Sequence, residues 1–272
     1  MASDIRINSR VASTLQAGDV IAQRAYYGQS SVSGPFNPVI LFANGEQGAW
    51  YDPSDLSTLF QDDAGTTPVT EPGQTVGLML DKSGNDVEAR QTTAESRPIY
   101  RDDEGLRYTD GDGVDDTISS AGVLDLSVPE FWLFCAGANP TEAGIPITLN
   151  GSNFQYLRID ATQIFARAET GSGNSITGSI LPWPTPTVWT VRVRQSDRSV
   201  TAWRNGSQVV SMTIRGSDWW PSLSRITLHG AQPNNAQTRS DFYAAGVLIS
   251  DMGNSTRENL EKWLAQRAGV TL

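Results

Sequence analysis

The chain has 272 residues, with 20 Lys and Arg against 30 Asp and Glu, a formal charge of −10. That length buries a full hydrophobic core without staples, and the acidic balance excludes a general nucleic-acid binder, whose phosphate contacts require clustered cations. A single cysteine, Cys135, and a single histidine, His229, exclude a disulfide framework and a Cys/His zinc site.

Taken in chain order, the first ten residues carry no apolar core of the kind a secretory leader needs, so no signal peptide is expected. Residues 1–45 combine an alternating Asp4-Ile5-Arg6-Ile7 segment, a weakly apolar stretch from Val11 to Tyr27 and a polar Gly28–Pro35 linker. No autonomous core is visible there, and the stretch reads as an arm that packs on another chain or on the domain that follows. In Trp50-Tyr51-Asp52-Pro53-Ser54-Asp55-Leu56, Asp52 is expected to cap a short helix, with Pro53 in its first turn and Leu56, Leu59 and Phe60 on one face. Asp81-Lys82-Ser83-Gly84-Asn85 is a turn by composition.

From Arg97 onward strand signals dominate. Phe131 to Ala138 is continuously apolar, as a strand buried on both faces would be. Its Cys135 is expected to be a packed, inert thiol, and His229 a packed or edge histidine. Val188–Arg194 and Ser199–Arg204 read as a hairpin joined through Gln195–Arg198, and Asn205-Gly206 as a two-residue turn into a further strand. Phe242 to Ile249 adds another strand. Apolar runs of eight residues are too short to cross a membrane, and no membrane insertion is expected. Ser255-Thr256-Arg257-Glu258 has the form of a capping box opening a final helix with Leu260, Trp263 and Leu264 on one side and Gly269 as its stop. The pattern is all-β, a two-sheet antiparallel sandwich with a short N-proximal helix and a C-terminal helix.

The Trp50–Leu56 string, the Asp81–Asn85 turn, Gly111-Asp112-Gly113-Val114-Asp115-Asp116, the Trp203-Arg204-Asn205-Gly206-Ser207 hairpin and the closing helix with Glu261-Lys262-Trp263-Leu264-Ala265 occur in an order that resembles the concanavalin A-like, laminin-G-like jelly-roll domains of tailed-bacteriophage structural proteins. The resemblance runs from about residue 48 to 272. It implies a jelly-roll domain over residues 46–272, displayed on the outer surface of a virion, made in the host cytoplasm, and joined to other virion proteins through the arm. A homo-oligomer, serving as capsid decoration, head fibre or tail component, is the implied setting. The family's glycanases would need an alternating Glu-x-Asp-x-Glu strand; no such string occurs, nor a nucleophile elbow, P-loop or dinucleotide fingerprint, so no enzyme is expected.

Two groups of candidate site residues remain. Asp110, Asp112, Asp115 and Asp116 form the densest acidic cluster, on a Gly-rich turn that offers the oxygens Ca²⁺ takes. The EF-hand pattern is not met, because Val114 and Ala121 stand where ligands belong, and a structural turn is the preferred reading. No other cofactor is implied. Trp183, Trp219 and Trp220 lie in loops, where flat aromatic faces can stack on the rings of a host glycan. The alternative function is therefore a carbohydrate-binding adhesin domain that recognises host surface polysaccharide.

Overall fold

The computed structural model describes residues 35–138, 147–150, 155–159, 163–166, 176–179, 185–213, 224–230 and 239–272, together with the backbone of Ile5–Ile7 and Arg10–Ala12, which pair as a small hairpin. Trp183, Trp219 and Trp220 lie outside the described residues.

Apart from that hairpin, the described strands form two antiparallel sheets. The first runs, in spatial order, Ser207–Thr213, Ser199–Arg204, Thr187–Arg194, Glu130–Ala138 and Arg239–Ile249. The far side of Arg239–Ile249 is shared. Its first half pairs with Leu106–Asp112, which pairs in turn with Ile99–Asp103, and its second half pairs with Gln47–Tyr51. The second sheet runs Ile176–Ser179, Gln163–Ala166, Gln155–Ile159, Ile147–Asn150, Arg225–Leu228, Ile118–Ser120, Ala89–Arg90, Leu78–Met79 and Leu59–Phe60.

The continuous apolar run of Glu130–Ala138 follows from its position. Phe131, Leu133 and Cys135 face the second sheet, packing with Leu149, Leu157 and Ile226. Trp132, Phe134 and Ala136 face outward and are buried as well. Full burial of side chains of this size stabilises by about 1.5–3 kcal/mol each. In Arg239–Ile249 the register skips Tyr243 opposite Ala136 and Gly137. This bulge sends both Tyr243 and Ala244 outward and both Phe242 and Ala245 inward. Asn205 and Gly206 both take positive φ, 47° and 81°, the conformation a tight two-residue hairpin turn requires.

The outward cover is the helix Asn254–Arg267, which lays Leu260, Trp263 and Leu264 on the first sheet. Trp263 meets Trp50 edge-on at 5.6 Å. Arg257 and Glu261, both buried, form an ion pair of 2.6 Å, and the Thr190 hydroxyl donates to Glu261. The Arg257 guanidinium lies 4.6 Å above the Trp203 ring, which stacks on Trp132. Gly269 ends the helix at φ 65°, with Val270 N–H donating to Ala265 O. No helix among the described residues is long and apolar enough to cross a membrane.

Three local expectations are corrected. The helix expected from Asp52 is a single 3₁₀ turn, Leu56–Thr58, capped by Asp55 through Ser57 N–H at 3.2 Å. Pairing of Leu59 with Met79 draws the following residues into a strand instead. The capping box does not form: the helix starts at Asn254 behind Gly253, with no side-chain cap, which places Ser255 inside the first turn and not ahead of it. Asp110 is not a turn residue: it lies inside strand Leu106–Asp112, and the turn opens only at Asp112, where that strand ends. Within the 1–45 stretch, the 3₁₀ helix Pro38–Phe42 packs Leu41 and Phe42 into the helix-side cluster, so this part is seated on the sandwich.

Candidate functional site

Alternation along the strands sets what the outer face of the first sheet presents. Thr109 bonds inward to buried His229, and Tyr100 belongs to the inter-sheet core. Their neighbours Tyr108, Asp110 and Arg101 therefore point outward. On Arg239–Ile249, Ser240 and Phe242 are inward, which turns Asp241 out. Leu106 touches the end of the helix at Gly269, and the face continues past that cover to Tyr108 and Asp110.

Two carboxylates meet there. Asp110 and Asp241 are direct cross-strand partners, an arrangement that repels and destabilises a sheet unless something compensates. Arg101 supplies part of the compensation, with both Nε and Nη2 at 3.1 Å from Asp110 Oδ2. Burial, then the Asp110 charge, pushes the Asp241 carboxyl up to about 6. Beside the pair, the half-buried Tyr108 ring lies 5.1 Å from Tyr243, tilted by 39°, and its hydroxyl donates to Asp103 at 2.6 Å. Burial raises both phenols, with neighbouring carboxylates adding to it. The face thus holds the half-buried Tyr108 ring, backed by the buried Tyr243, with a guanidinium donor and carboxylate acceptors in adjacent positions. That set stacks on a sugar ring and bonds its hydroxyls.

At the strand end the carboxylate oxygens of Asp112, Asp115 and Asp116 come within 4.8 Å of one another. Asp110, the fourth residue of that sequence cluster, is engaged with Arg101 instead. Burial raises the Asp116 carboxyl to about 6, with Asp112, Asp115 and Asp110 contributing. One oxygen of each carboxylate already has work in the turn. Asp112 Oδ1 accepts from Val114 N–H and Asp115 N–H, Asp116 Oδ2 accepts from Asp112 N–H, and Asp115 Oδ2 accepts from the Ser96 hydroxyl. A cation would be left with Asp112 Oδ2, Asp115 Oδ1 and Asp116 Oδ1, fewer oxygens than Ca²⁺ takes.

Composition pointed to the acidic segment but not to Asp241, Arg101, Tyr108 or Tyr243. The available signal was polar alternation inside strands, Tyr108-Thr109-Asp110 and Ser240-Asp241-Phe242. Their union depends on pairing between strands about 130 residues apart.

The motif strings that carried the family resemblance form a structural knot. Asp81 Oδ1 accepts from Trp50 N–H at 2.9 Å, Lys82 N–H donates to Trp50 O, and Asn85 donates to Glu46 O and Gly48 O. Lys82 Nζ lies 2.5 Å from Asp55 and 3.8 Å from buried Asp52, and 5.0 Å above the Trp50 ring. These residues lock strand Gln47–Tyr51 in place, and so they report on fold.

No protein-family model matches the sequence, and no curated protein matches it. Solved structures do. The chain is similar to the binding domain of botulinum neurotoxin serotype G, with TM-score 0.54 and 13% identity over 69% of this chain and 49% of that one. It is similar to the binding domain of paraclostridial mosquitocidal protein 1, with TM-score 0.53 and 14% identity over 74% and 54%. The serotype D botulinum neurotoxin binding domain matches at 0.51 and 11% over 68% and 48%. This chain spans about half the length of those chains. At such identities the likeness establishes the fold class, a jelly-roll β-sandwich.

Proposed function

We propose that this chain is a non-catalytic carbohydrate-recognition module, which reads a glycan on the outer face of its first sheet. The observation that carries this reading is the half-buried Tyr108 ring, held from beneath by buried Tyr243, beside Arg101, Asp110 and Asp241. The fold likeness to toxin binding domains supports it. So does His229, sealed between Thr109 and Ser240 where it can serve no reaction at the surface. Trp183, Trp219 and Trp220 stand as a second set of stacking candidates. A glycan array with the wild-type chain, followed by calorimetry on the best ligand, tests the reading. Tyr108→Ala should weaken binding at least about tenfold, the loss of roughly 1.4 kcal/mol expected of a stacking contact. Loss only in Trp219→Ala and Trp220→Ala would move the site to the loops. Binding to none of the host surface polysaccharides, or glycan hydrolysis, would defeat the proposal.

The finer setting is a tailed-phage virion, as capsid decoration, head fibre or tail component on the outer surface. It rests on the Trp50–Leu56 and Asp81–Asn85 strings and on an arm preceding a sandwich. In this setting residues 1–45 supply virion attachment or oligomerisation and residues 46–272 the jelly roll. Deletion of residues 1–34 should leave a folded domain that no longer joins particles, scored by co-sedimentation; undiminished incorporation would refute the attachment role.

A further inference from the structure

Beside the Trp50–Asp81 knot, an open cleft of about 390 Å³ is bounded by Asp52, Ser54 and Asp55 of one loop, by Lys82, by Arg107 and by Arg267. Arg107 stands near the start of strand Leu106–Asp112, on the side opposite Tyr108, and Arg267 ends the C-terminal helix. The Asp52 side chain is only 2% exposed. Its Oδ1 accepts from Ser54 N–H at 3.0 Å and from the Ser54 hydroxyl at 2.6 Å. Its Oδ2 accepts no hydrogen bond among the described residues. Arg267 Nη2 and Lys82 Nζ stand off from it at 3.5 and 3.8 Å, beyond the reach of a charge-assisted hydrogen bond, about 2.7–2.9 Å. The buried pair Arg257–Glu261 in the same chain closes to 2.6 Å. Lys82 is drawn to Asp55 instead, at 2.5 Å.

The donors of the cleft are also incompletely used. Arg107 gives Nε to Asp102 at 2.9 Å and Nη1 to Ser54 O at 3.3 Å, and its Nη2 has no partner among the described residues. Arg267 lies 4.8 Å over the Trp263 ring, and Asp52 is its one polar partner among the described residues. With Asp102 counted, three cations face three carboxylates, so the cleft has no surplus charge with which to hold a bare anion. Its distinguishing feature is a buried acceptor beside two forked donors. A sugar acid satisfies both: a hydroxyl donates to the acceptor, and a planar carboxylate takes paired N–H bonds from a guanidinium. A neutral sugar would bring no charged acceptor to the forks, and acetate would leave the Asp52 oxygen without a donor. Phosphate would crowd further charge beside Asp52 and Asp55. We infer that this cleft binds a hexuronic acid residue of an acidic polysaccharide, with its carboxylate on Arg107 Nη2 and Arg267 Nη1 and a ring hydroxyl on Asp52 Oδ2. The volume is near the small end of ligand pockets, roughly 300–1,000 Å³, and suits one sugar residue. This is a second site, separate from the Tyr108 face, and it goes beyond the glycan reading by making the chain selective for a charged sugar.

The test is a titration of the full ¹⁵N-labelled chain, followed at the arginine Nε–H resonances, with glucuronate, its methyl ester, glucose, acetate and phosphate. Ionic strength is held constant, because salt screens exposed charges. Glucuronate should shift the Arg107 and Arg267 signals with a Kd in the millimolar range, and each of the other four should bind at least about tenfold more weakly. Arg107→Gln and Arg267→Gln assign the two signals, and each should weaken glucuronate at least about tenfold, with thermal melting to check that both chains remain folded. The ester, glucose and acetate comparisons need no substitution. Tyr108→Ala should leave the titration unchanged. An equal response to glucose or the ester would remove the carboxylate from the account, and an equal response to acetate or phosphate would make the cleft an unspecific anion site. Either result overturns the inference, as does no shift with glucuronate, or loss of the shift in Tyr108→Ala. None of these but the last bears on glycan binding at Tyr108, which the array and its Tyr108→Ala comparison decide separately.

Discussion

His229 Nε2 stands 2.9 Å from Thr109 Oγ1, both residues fully buried, and through this contact the end of a strand in the second sheet is tied to a strand in the first. The other ring nitrogen, Nδ1, lies 2.8 Å from Ser240 Oγ. Gly111 leaves room for the ring, because a Cβ there would sit 2.7 Å from Nδ1. Burial holds the imidazole down to about 4, against the opposing hydrogen bond to Ser240.

The sign of the resulting pH dependence follows. The unfolded chain takes up a proton near 6.5, whereas the folded chain does not until about 4. Stability is therefore full above about 6.5 and falls as pH drops toward 4, by about 3 kcal/mol. His229→Asn accepts the positive φ of 62° but cannot titrate. Urea unfolding at pH 7 and pH 4.5 should show a smaller loss between the two for the variant. The variant should also be about 1–3 kcal/mol less stable at pH 7, with Thr109 and Ser240 deprived of a partner.

Asp241 has the opposite sign. Its folded carboxyl is raised to about 6, so its ionisation works against the fold as pH rises from about 4 to about 6. Asp241→Asn should therefore raise Tm by a few degrees at pH 7 and by less at pH 4. Differential scanning calorimetry at the two values checks this. A lower Tm at pH 7 would mean that the Asp110–Asp241 pair stabilises the sheet.

Glu261→Ala should cost about 3–5 kcal/mol, since it strands the Arg257 charge in a buried site. It also removes the acceptor of the Thr190 hydroxyl. Replacing both members, Arg257→Met with Glu261→Leu, should cost less than Glu261→Ala alone. Denaturant titrations of the three chains distinguish the outcomes.

In the Trp50–Asp81 knot, hydrogen bonding separates two aspartates. The Asp81 carboxylate accepts from Trp50 N–H, Ser83 N–H, the Ser83 hydroxyl and Val87 N–H. Asp81→Ala should cost about 2–4 kcal/mol by leaving these donors unmatched. Asp55→Ala, which breaks a pair whose aspartate is 37% exposed and removes the cap of the Leu56–Thr58 turn, should cost about 1 kcal/mol. Equal losses would contradict this ranking.

For the Asp112–Asp116 turn, Ca²⁺ against a chelator should leave Tm unchanged, with no heat of binding in calorimetry. A shift that Asp116→Asn abolishes would instead make these carboxylates a metal site.

Much of the architecture was legible along the chain because β-pairing leaves local marks. The apolar run Phe131–Ala138, the Asn205-Gly206 turn and the Gly269 stop each state a backbone requirement in a few neighbouring residues. The helix expected at Asp52 and the capping box at Ser255 failed for a common reason. Propensity and capping each contribute about 1 kcal/mol or less, and contacts with distant residues, Leu59 with Met79 and Glu261 with Thr190, outweighed them. The candidate glycan face was less accessible still. The opening composition, −10 in charge with one cysteine and one histidine, bounded the chemistry and marked an acidic segment. Which of those aspartates would meet another, and beside which tyrosines, was set by the register of Arg239–Ile249 against Leu106–Asp112 and by the bulge at Tyr243. Register is a relation between two strands, and a shift of one residue would have turned Asp241 into the core.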